Sequence, residues 1–388
     1  MMRPAEGTAA GTRPRRVLLV AGEASGDMHA ADVVTALHSL VPGVEVRGVG
    51  GTRLRAAGME TLIDSASVAT MGLLEARERL GAVLRAYRLM RRLLQTEPPD
   101  LLLLVDFAEF NVALAGVAHR CGVPVLYYIS PQVWAWRPGR IRKIARRVDR
   151  LAVVFPFEAP LYAGTATRAE FVGHPLLDRV APTRPRAETL ARHGLDSAKR
   201  LVAILPGSRR KEMHLNLPVM AEAAERLVAR GDTQCVLALA DTLSAADVAG
   251  SMRGRKLCAT VVEGDTYDLV HASELVLVAS GTATLETALL ERPMVIVYRV
   301  ASLTYALARR LVSVPFIGMP NLIAERAIVP ELVQDDATGA RLTAEAERFL
   351  DDPGLRATTT AALAGLRRQL GGGGAARKVA AIAAEMLA

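Results

Sequence analysis

Residues 274–299 read ELVLVASGTATLETALLERPMVIVYR, and this stretch decides the fold. The apolar run 275–279 has the length and composition of a buried parallel strand. Ser280, Gly281 and Thr282 then predict a tight turn, 284–290 a helix, and Pro293 precedes a second strand at 294–298. In a strand, glycine turn, helix and strand of this kind, the first helical N–H groups stay free at the strand's carboxyl end. Those donors and the helix dipole favour an anion, most often a phosphate. Gly281 carries no Cβ to block its approach. Thr284 and Glu286 follow in the first turns, where the Glu286 carboxylate can accept from ribose hydroxyls. The same pattern also fits an ordinary βα turn of small residues, so the rest of the chain has to decide.

The chain has 388 residues, enough for two domains that each bury a core, and its 51% apolar and 23% charged content is that of a globular protein. The net charge of +8 rests on arginine, with lysine at only five positions (143, 199, 211, 256 and 378). It fits an anionic membrane face or a phosphorylated substrate as well as a nucleic acid, and no nucleic-acid module is present. Cys121, Cys235 and Cys258 are far apart, with no CxxC or Cys/His ligand spacing, which indicates neither zinc nor a disulfide framework and suits a reducing compartment. The run 17–21 is too short for a signal-peptide core, and no apolar stretch is long enough to span a bilayer.

Strands and helices alternate along the whole chain. Residues 1–14 are expected to be disordered. A strand at 17–21 leads into the turn Gly22-Glu23-Ala24-Ser25-Gly26-Asp27 and a helix to about residue 40. A strand at 44–48 runs into Gly50-Gly51, but GxGxxG counted from Gly48 ends on Arg53, so a nicotinamide site is rejected. Helical spacing at 73–94 puts Leu73, Leu80, Leu84, Tyr87, Met90 and Leu94 on one face. Arg77, Arg79, Arg85, Arg88, Arg91 and Arg92 lie on the other, either a solvated face or a basic surface for anionic lipid. Further strands are expected at 101–105, 123–129, 151–155 and 170–172, with Asn111 as N-cap of the helix after the first of these. Residues 137–147 read as another basic helix. Residues 181–199 form a linker and the first helix of the second half. A second alternating series follows, with strands at 201–205, 234–239, 257–262, 275–279 and 294–298. The domains are therefore 15–180 and 200–365, each a doubly wound parallel sheet of Rossmann-like type. Ligands in such sheets bind at the strands' carboxyl ends, so two facing sheets predict the site in the cleft between them. Residues 301–319 form an apolar segment broken by Arg309, Arg310 and Pro315. Residues 366–388 are a glycine hinge and a last helix that packs back on the first domain or on a second chain, as in a homodimer.

The candidate functional residues all follow strands. Gly207 permits close backbone approach, Ser208 donates, and Arg209 can fork onto two phosphate oxygens. With Ser280, Gly281, Thr282, Ala283, Thr284 and Glu286 they make two convergent anion sites in one domain, which favours a nucleotide diphosphate. Neither D-x-D nor a P-loop occurs, so no metal site is indicated, and charge on a departing diphosphate falls to the helix dipole, backbone donors and Arg209. Asp106 ends a buried strand, where desolvation raises proton affinity, and is the candidate general base. A strand-end aspartate that caps nearby backbone is the other reading. Glu23, Ser25 and Asp27 either hold a polar substrate or serve the turn and the following helix. Trp134 and Trp136 stack on a sugar or acyl group or fill the core. G-x-S-x-G is absent around Ser25 and Ser280, which weakens a serine hydrolase reading.

Seven segments together carry a resemblance: AGEASGD (21–27), MGLLE (71–75), YISPQVWAWRPGRI (128–141), FVGHPL (171–176), LPGSRRKE (205–212), ELVLVASGTATLE (274–286) and MPNLIAERAIVPELVQ (319–334). From end to end the chain resembles the bacterial lipid-A-disaccharide synthase family. Its D-x-P-D-F-N motif stands here as Asp106-Phe107-Ala108-Glu109-Phe110-Asn111, and Ala30 replaces a glycine. The resemblance implies a GT-B glycosyltransferase that needs no cofactor or metal. Its donor would be UDP-2,3-diacylglucosamine and its acceptor 2,3-diacylglucosamine 1-phosphate, joined β-1′,6 with inversion. It implies Asp106 as base, Arg209 and the 280–284 turn on the diphosphate, Glu286 on the ribose, and Asn321 in the donor pocket. The first domain, with Glu23, Ser25, Asp27 and Trp134, would hold the acceptor. Attachment to the cytoplasmic face of the inner membrane is also implied. A UDP-N-acetylglucosamine 2-epimerase-like enzyme and an inactive UDP-sugar sensor are the competing readings.

Overall fold

The computed structural model describes residues 13–67, 76–131, 139–301, 305 and 315–388. The expectations for residues 1–12, for Trp134 and Trp136, and for most of 301–314 lie outside the described residues. The chain divides into two compact units, Met1–Pro175 with Gly374–Ala388, and Leu176–Gly373.

The first unit is built on seven strands: β1 (Arg16–Ala21), β2 (Glu45–Gly50), β3 (Glu60–Asp64), β4 (Leu101–Val105), β5 (Val125–Tyr128), β6 (Arg150–Val153) and β7 (Arg168–Phe171). All are parallel, in the order β3-β2-β1-β4-β5-β6-β7. The order reverses between β1 and β4, where Ala21 stands beside Val105, so the residues after these two strands emerge side by side at the switch point. Every residue of β4 is buried, because helices cover both faces of a parallel sheet. The helix Ala375–Leu387 packs against Ala24–Leu40 in this unit, burying Val379, Ala380, Ala383 and Leu387, and the Arg15 guanidinium donates to the Ala388 carbonyl at 2.9 Å.

The second unit holds β8 (Arg200–Leu205), β9 (Thr233–Leu239), β10 (Thr260–Glu263), β11 (Leu275–Ala279), β12 (Met294–Tyr298) and β13 (Glu331–Val333). They are parallel in the order β10-β9-β8-β11-β12-β13. Its switch point lies between β8 and β11, with Leu205 beside Val278.

Two expectations are corrected, and two strands are added. Asn111 is no N-cap: the helix runs Ala108–Arg120 with Phe107 at its N-cap, and Asn111 is fully buried inside it. Leu84 does not share the packed face of Ala76–Thr96: Ala86, Met90 and Leu94 are buried, whereas Leu84 is 40% exposed. Strands β3 and β13 were not foreseen. Both are short edge strands, largely half-buried or exposed, that make no long apolar run.

Candidate active site

At the first switch point the chain leaves β4 in an uncommon conformation. Asp106 (φ 51°) and Phe107 (φ 49°) are consecutive left-handed residues, a region that costs an L-residue energy unless its surroundings enforce it. Phe107 stacks on Phe110 with ring centroids 4.9 Å apart. On the β1 side its ring lies so close to Gly22 that a Cβ there would overlap it, which is why this approach needs glycine. The Asp106 carboxyl is pushed up to about 6, first by burial and then by the Glu23 charge; the Phe107 N–H and the Ser25 hydroxyl pull it down by less. Glu23 and Ser25 thus stand with Asp106.

Asp27 does not. Its buried carboxylate accepts from the N–H groups of Gly51 (2.5 Å), Arg53 (3.1 Å) and Leu54 (3.3 Å), and so caps the helix Thr52–Ala56 rather than facing the strand ends. His174, after β7, is buried and pushed down to about 3, chiefly by burial and then by His29, so it is a neutral imidazole at physiological pH.

The second switch point opens into a cavity of about 600 Å³. Gly207, Ser208, Ser280, Gly281, Thr282, Ala283 and Glu286 line it; Thr284 and Asn321 do not, and neither does Arg209. Gly207 (φ 122°) and Gly281 (φ 155°) take conformations that favour glycine at the two strand ends. Thr284 is buried and donates from its hydroxyl to the Gly281 carbonyl at 2.8 Å, which closes the first turn of Thr282–Leu289 and leaves its leading N–H groups outside the helical ladder. Arg209 is 79% exposed and pairs with Glu212 at 3.4 Å.

Sequence reasoning missed Tyr267. It lines the cavity and donates from its hydroxyl to Glu286 Oε1 at 2.9 Å. Burial raises the proton affinity of Glu286, and the Tyr267 hydrogen bond offsets part of that. The helix Thr266–Ala272, which bears Tyr267, is tied to the linker: Asp268 accepts from the backbone and hydroxyl of Thr183 (2.5 and 2.7 Å) and from Arg184 (2.7 Å). Asn321 sits behind the cavity. Its amide nitrogen donates to the Val329 carbonyl and Glu331 (both 2.8 Å), and its oxygen accepts from the N–H groups of Ile328 (2.8 Å) and Val329 (3.1 Å). Glu331 in turn accepts from the Ile317 N–H at 2.9 Å, and the Ile317 carbonyl accepts from the Ser280 hydroxyl at 3.5 Å. Among the described residues no three acidic, His or Cys side chains cluster as a metal site.

Two doubly wound parallel-sheet units, one with a strand-end carboxyl of raised proton affinity and one with a glycine-framed cavity at its switch point, define the GT-B class of glycosyltransferases. The structure superposes on the glycosyltransferase of kitacinnamycin with a TM-score of 0.64 at 16% identity, covering 97% of this chain and all of that one. It also matches the UDP-GlcNAc 2-epimerase of Neisseria meningitidis, solved with UDP-GlcNAc, with a TM-score of 0.58 at 12% identity, over 96% of this chain and 99% of that one. Identities this low show the fold alone. Sequence is more specific. Residues 17–384 match the family model described as lipid-A-disaccharide synthetase. The chain is 48% identical over 379 residues to the lipid-A-disaccharide synthase of Geobacter metallireducens, covering 97% of this chain and 99% of the relative. The chain belongs to the lipid-A-disaccharide synthase family, and is a hexosyltransferase of lipid A biosynthesis.

Proposed function

We propose that this chain joins UDP-2,3-diacylglucosamine to 2,3-diacylglucosamine 1-phosphate, releasing UDP and the β-1′,6-linked disaccharide 1-phosphate. The observation that carries the reading is Asp106, a strand-end carboxyl at a switch point whose proton affinity is raised to about 6. Such a group is ionised at neutral pH yet more basic than an ordinary aspartate. It takes the proton of the acceptor's 6-hydroxyl as that oxygen bonds to the donor's anomeric carbon. The bond from that carbon to the diphosphate oxygen breaks, and UDP leaves with the electron pair, inverting the centre. Glu23 and Ser25 belong to the acceptor side. Trp134 keeps that assignment from the resemblance, and Asp27 supports the turn from beneath.

The second unit takes UDP in the 600 Å³ cavity. First-turn N–H groups of Thr282 and Ala283, with the hydroxyls of Ser208 and Ser280, meet the diphosphate, and Gly207 and Gly281 let it approach. Arg209, whose side chain is exposed and paired with Glu212, swings in as the cation. Glu286 accepts from the ribose. Thr284 and Asn321 act from behind, by holding the turn and the cavity wall. Charge on the leaving diphosphate is thereby met without a metal ion.

Both substrates carry acyl chains, and a peripheral position on the cytoplasmic face of the inner membrane fits them. The exposed face of Ala76–Thr96 supports this, because Leu84 and Leu89 (40% and 37% exposed) share it with Arg85, Arg88 and Arg92. No helix among the described residues is long and apolar enough to cross a membrane.

The test is product analysis with both substrates in EDTA. Disaccharide and UDP in equal amounts, with a β linkage by NMR, is the expected result. UDP released without disaccharide would overturn the reading in favour of an epimerase-like or hydrolytic site.

A further inference from the structure

Asp106 and Phe107 both stand at positive φ, so something beyond local preference holds this corner. Besides the carboxylate's own partners, Ser25 and the Phe107 N–H, both polar groups of the Asp106 backbone are held. The Asp106 carbonyl accepts two side-chain hydrogen bonds, from Asn111 Nδ2 at 2.7 Å and from the Tyr127 hydroxyl at 2.8 Å. Its N–H donates to the Tyr128 carbonyl at 3.2 Å. Asn111 and Tyr127 are both fully buried. Three carbonyls surround the Asn111 amide nitrogen, since Val105 (3.2 Å) and Val20 (3.4 Å) join Asp106, which fixes the amide with its donors toward the strand ends. Tyr127 comes from β5, paired with Leu104 of β4, so its ring fills the core while its hydroxyl reaches one residue past the strand. A phenylalanine would keep the ring and lose the hydroxyl that meets the Asp106 carbonyl and the Asn111 amide.

From this geometry we infer that Asn111 and Tyr127 are positioning residues, which clamp the Asp106 carbonyl and so fix the left-handed backbone that aims its carboxyl beside Glu23 and Ser25. The inference rests on the reading of Asp106 as the base. With a donor lost, φ relaxes toward negative values, the Cα–Cβ bond swings, and the carboxyl moves toward water and away from the Glu23 charge. The groups acting on that carboxyl are Glu23, Ser25 and the Phe107 N–H, and none of them is altered by either substitution.

The experiment compares Tyr127→Phe, Asn111→Ala and Asp106→Asn with the wild-type enzyme in steady-state kinetics across pH. Tyr127→Phe keeps the ring and its volume, so it reports even if Asn111→Ala folds poorly. For Tyr127→Phe the expected result is a kcat about tenfold lower, KM values for donor and acceptor within about twofold, and an acidic limb of the kcat profile displaced to lower pH. A merely structural loss would lower the folded fraction without moving that limb. Wild-type kcat and an unmoved limb in Tyr127→Phe, while Asp106→Asn is inactive, would overturn the positioning role alone. Full activity in Asp106→Asn would overturn the base assignment, and the positioning role with it.

Discussion

The Tyr267 hydroxyl donates to Glu286 Oε1 at 2.9 Å inside the cavity of the second unit. One oxygen of the half-buried carboxylate is thus oriented by tyrosine, and in the proposed complex the other accepts from the ribose. Because burial raises the proton affinity of Glu286 and this bond lowers it, Tyr267→Phe raises it further and leaves less carboxylate at a given pH. We expect UDP affinity to fall about three- to tenfold in Tyr267→Phe and about tenfold in Glu286→Gln, the size of one charge-assisted hydrogen bond. Calorimetric titration with UDP checks both, and the Tyr267→Phe deficit should widen as pH falls.

The raised proton affinity of Asp106 has a stability consequence. Its folded-state value of about 6 lies above the ordinary 3.8, so between these values the folded protein binds more protons than the unfolded. Stability therefore increases as pH falls through 6 and levels off near 3.8. At pH 7 the buried charge is a cost, worth about 3 kcal/mol at full value and about 1–2 kcal/mol after allowance for the part left in water. An asparagine in place of Asp106 carries no charge and tolerates left-handed backbone. Asp106→Asn should therefore be more stable than the wild type at pH 7 and no more stable near pH 4, as measured by denaturant titration at both values.

Asn321 uses both donors and both lone pairs on the chain at 328–331. In Asn321→Leu the buried Val329 N–H and the part-buried Ile328 N–H lose their acceptor and Glu331 loses one of its donors, at about 2–4 kcal/mol. Denaturation of the variant should show that loss. UDP affinity should fall only modestly in the folded fraction, because Asn321 reaches the cavity only through Glu331, Ile317 and Ser280.

The exposed leucines of Ala76–Thr96 bear on membrane attachment. Leu84→Ser with Leu89→Ser removes two apolar side chains among arginines and touches no buried residue. Sedimentation with anionic vesicles is expected to drop several-fold, with catalysis of detergent-dispersed substrates unchanged. Equal sedimentation of the variant would remove this helix from the membrane surface.

The central strands were the legible part of the sequence. The apolar runs 101–105, 275–279 and 294–298 coincide with β4, β11 and β12, because strands covered on both faces are written as unbroken apolar runs. The edges were not legible. β3 and β13 pair on one side only, so Glu60 and Glu331 fit where a central strand would exclude them. Tyr267 follows β10, another edge strand with three of four residues exposed, so the strand-end signal that picked out Gly207 and Ser280 was faint there. Asp106 was visible as the polar end of an apolar run, but its left-handed backbone was not, because Asn111 and Tyr127 impose it through tertiary contacts. Asn111 misled for the same reason: a favourable capping residue by type, it is buried against three carbonyls instead.

The central claim is that Asp106 takes the acceptor's proton, and the most direct measurement is the rate of disaccharide formation by Asp106→Asn beside the wild type at saturating substrate and neutral pH, with UDP affinity measured on the same samples. Asparagine keeps the size and the backbone preference but cannot accept the proton. A rate lower by about 10²–10⁴ with UDP affinity unchanged is the expected result. A rate within a few-fold of the wild type would contradict the assignment and send the search for the base elsewhere.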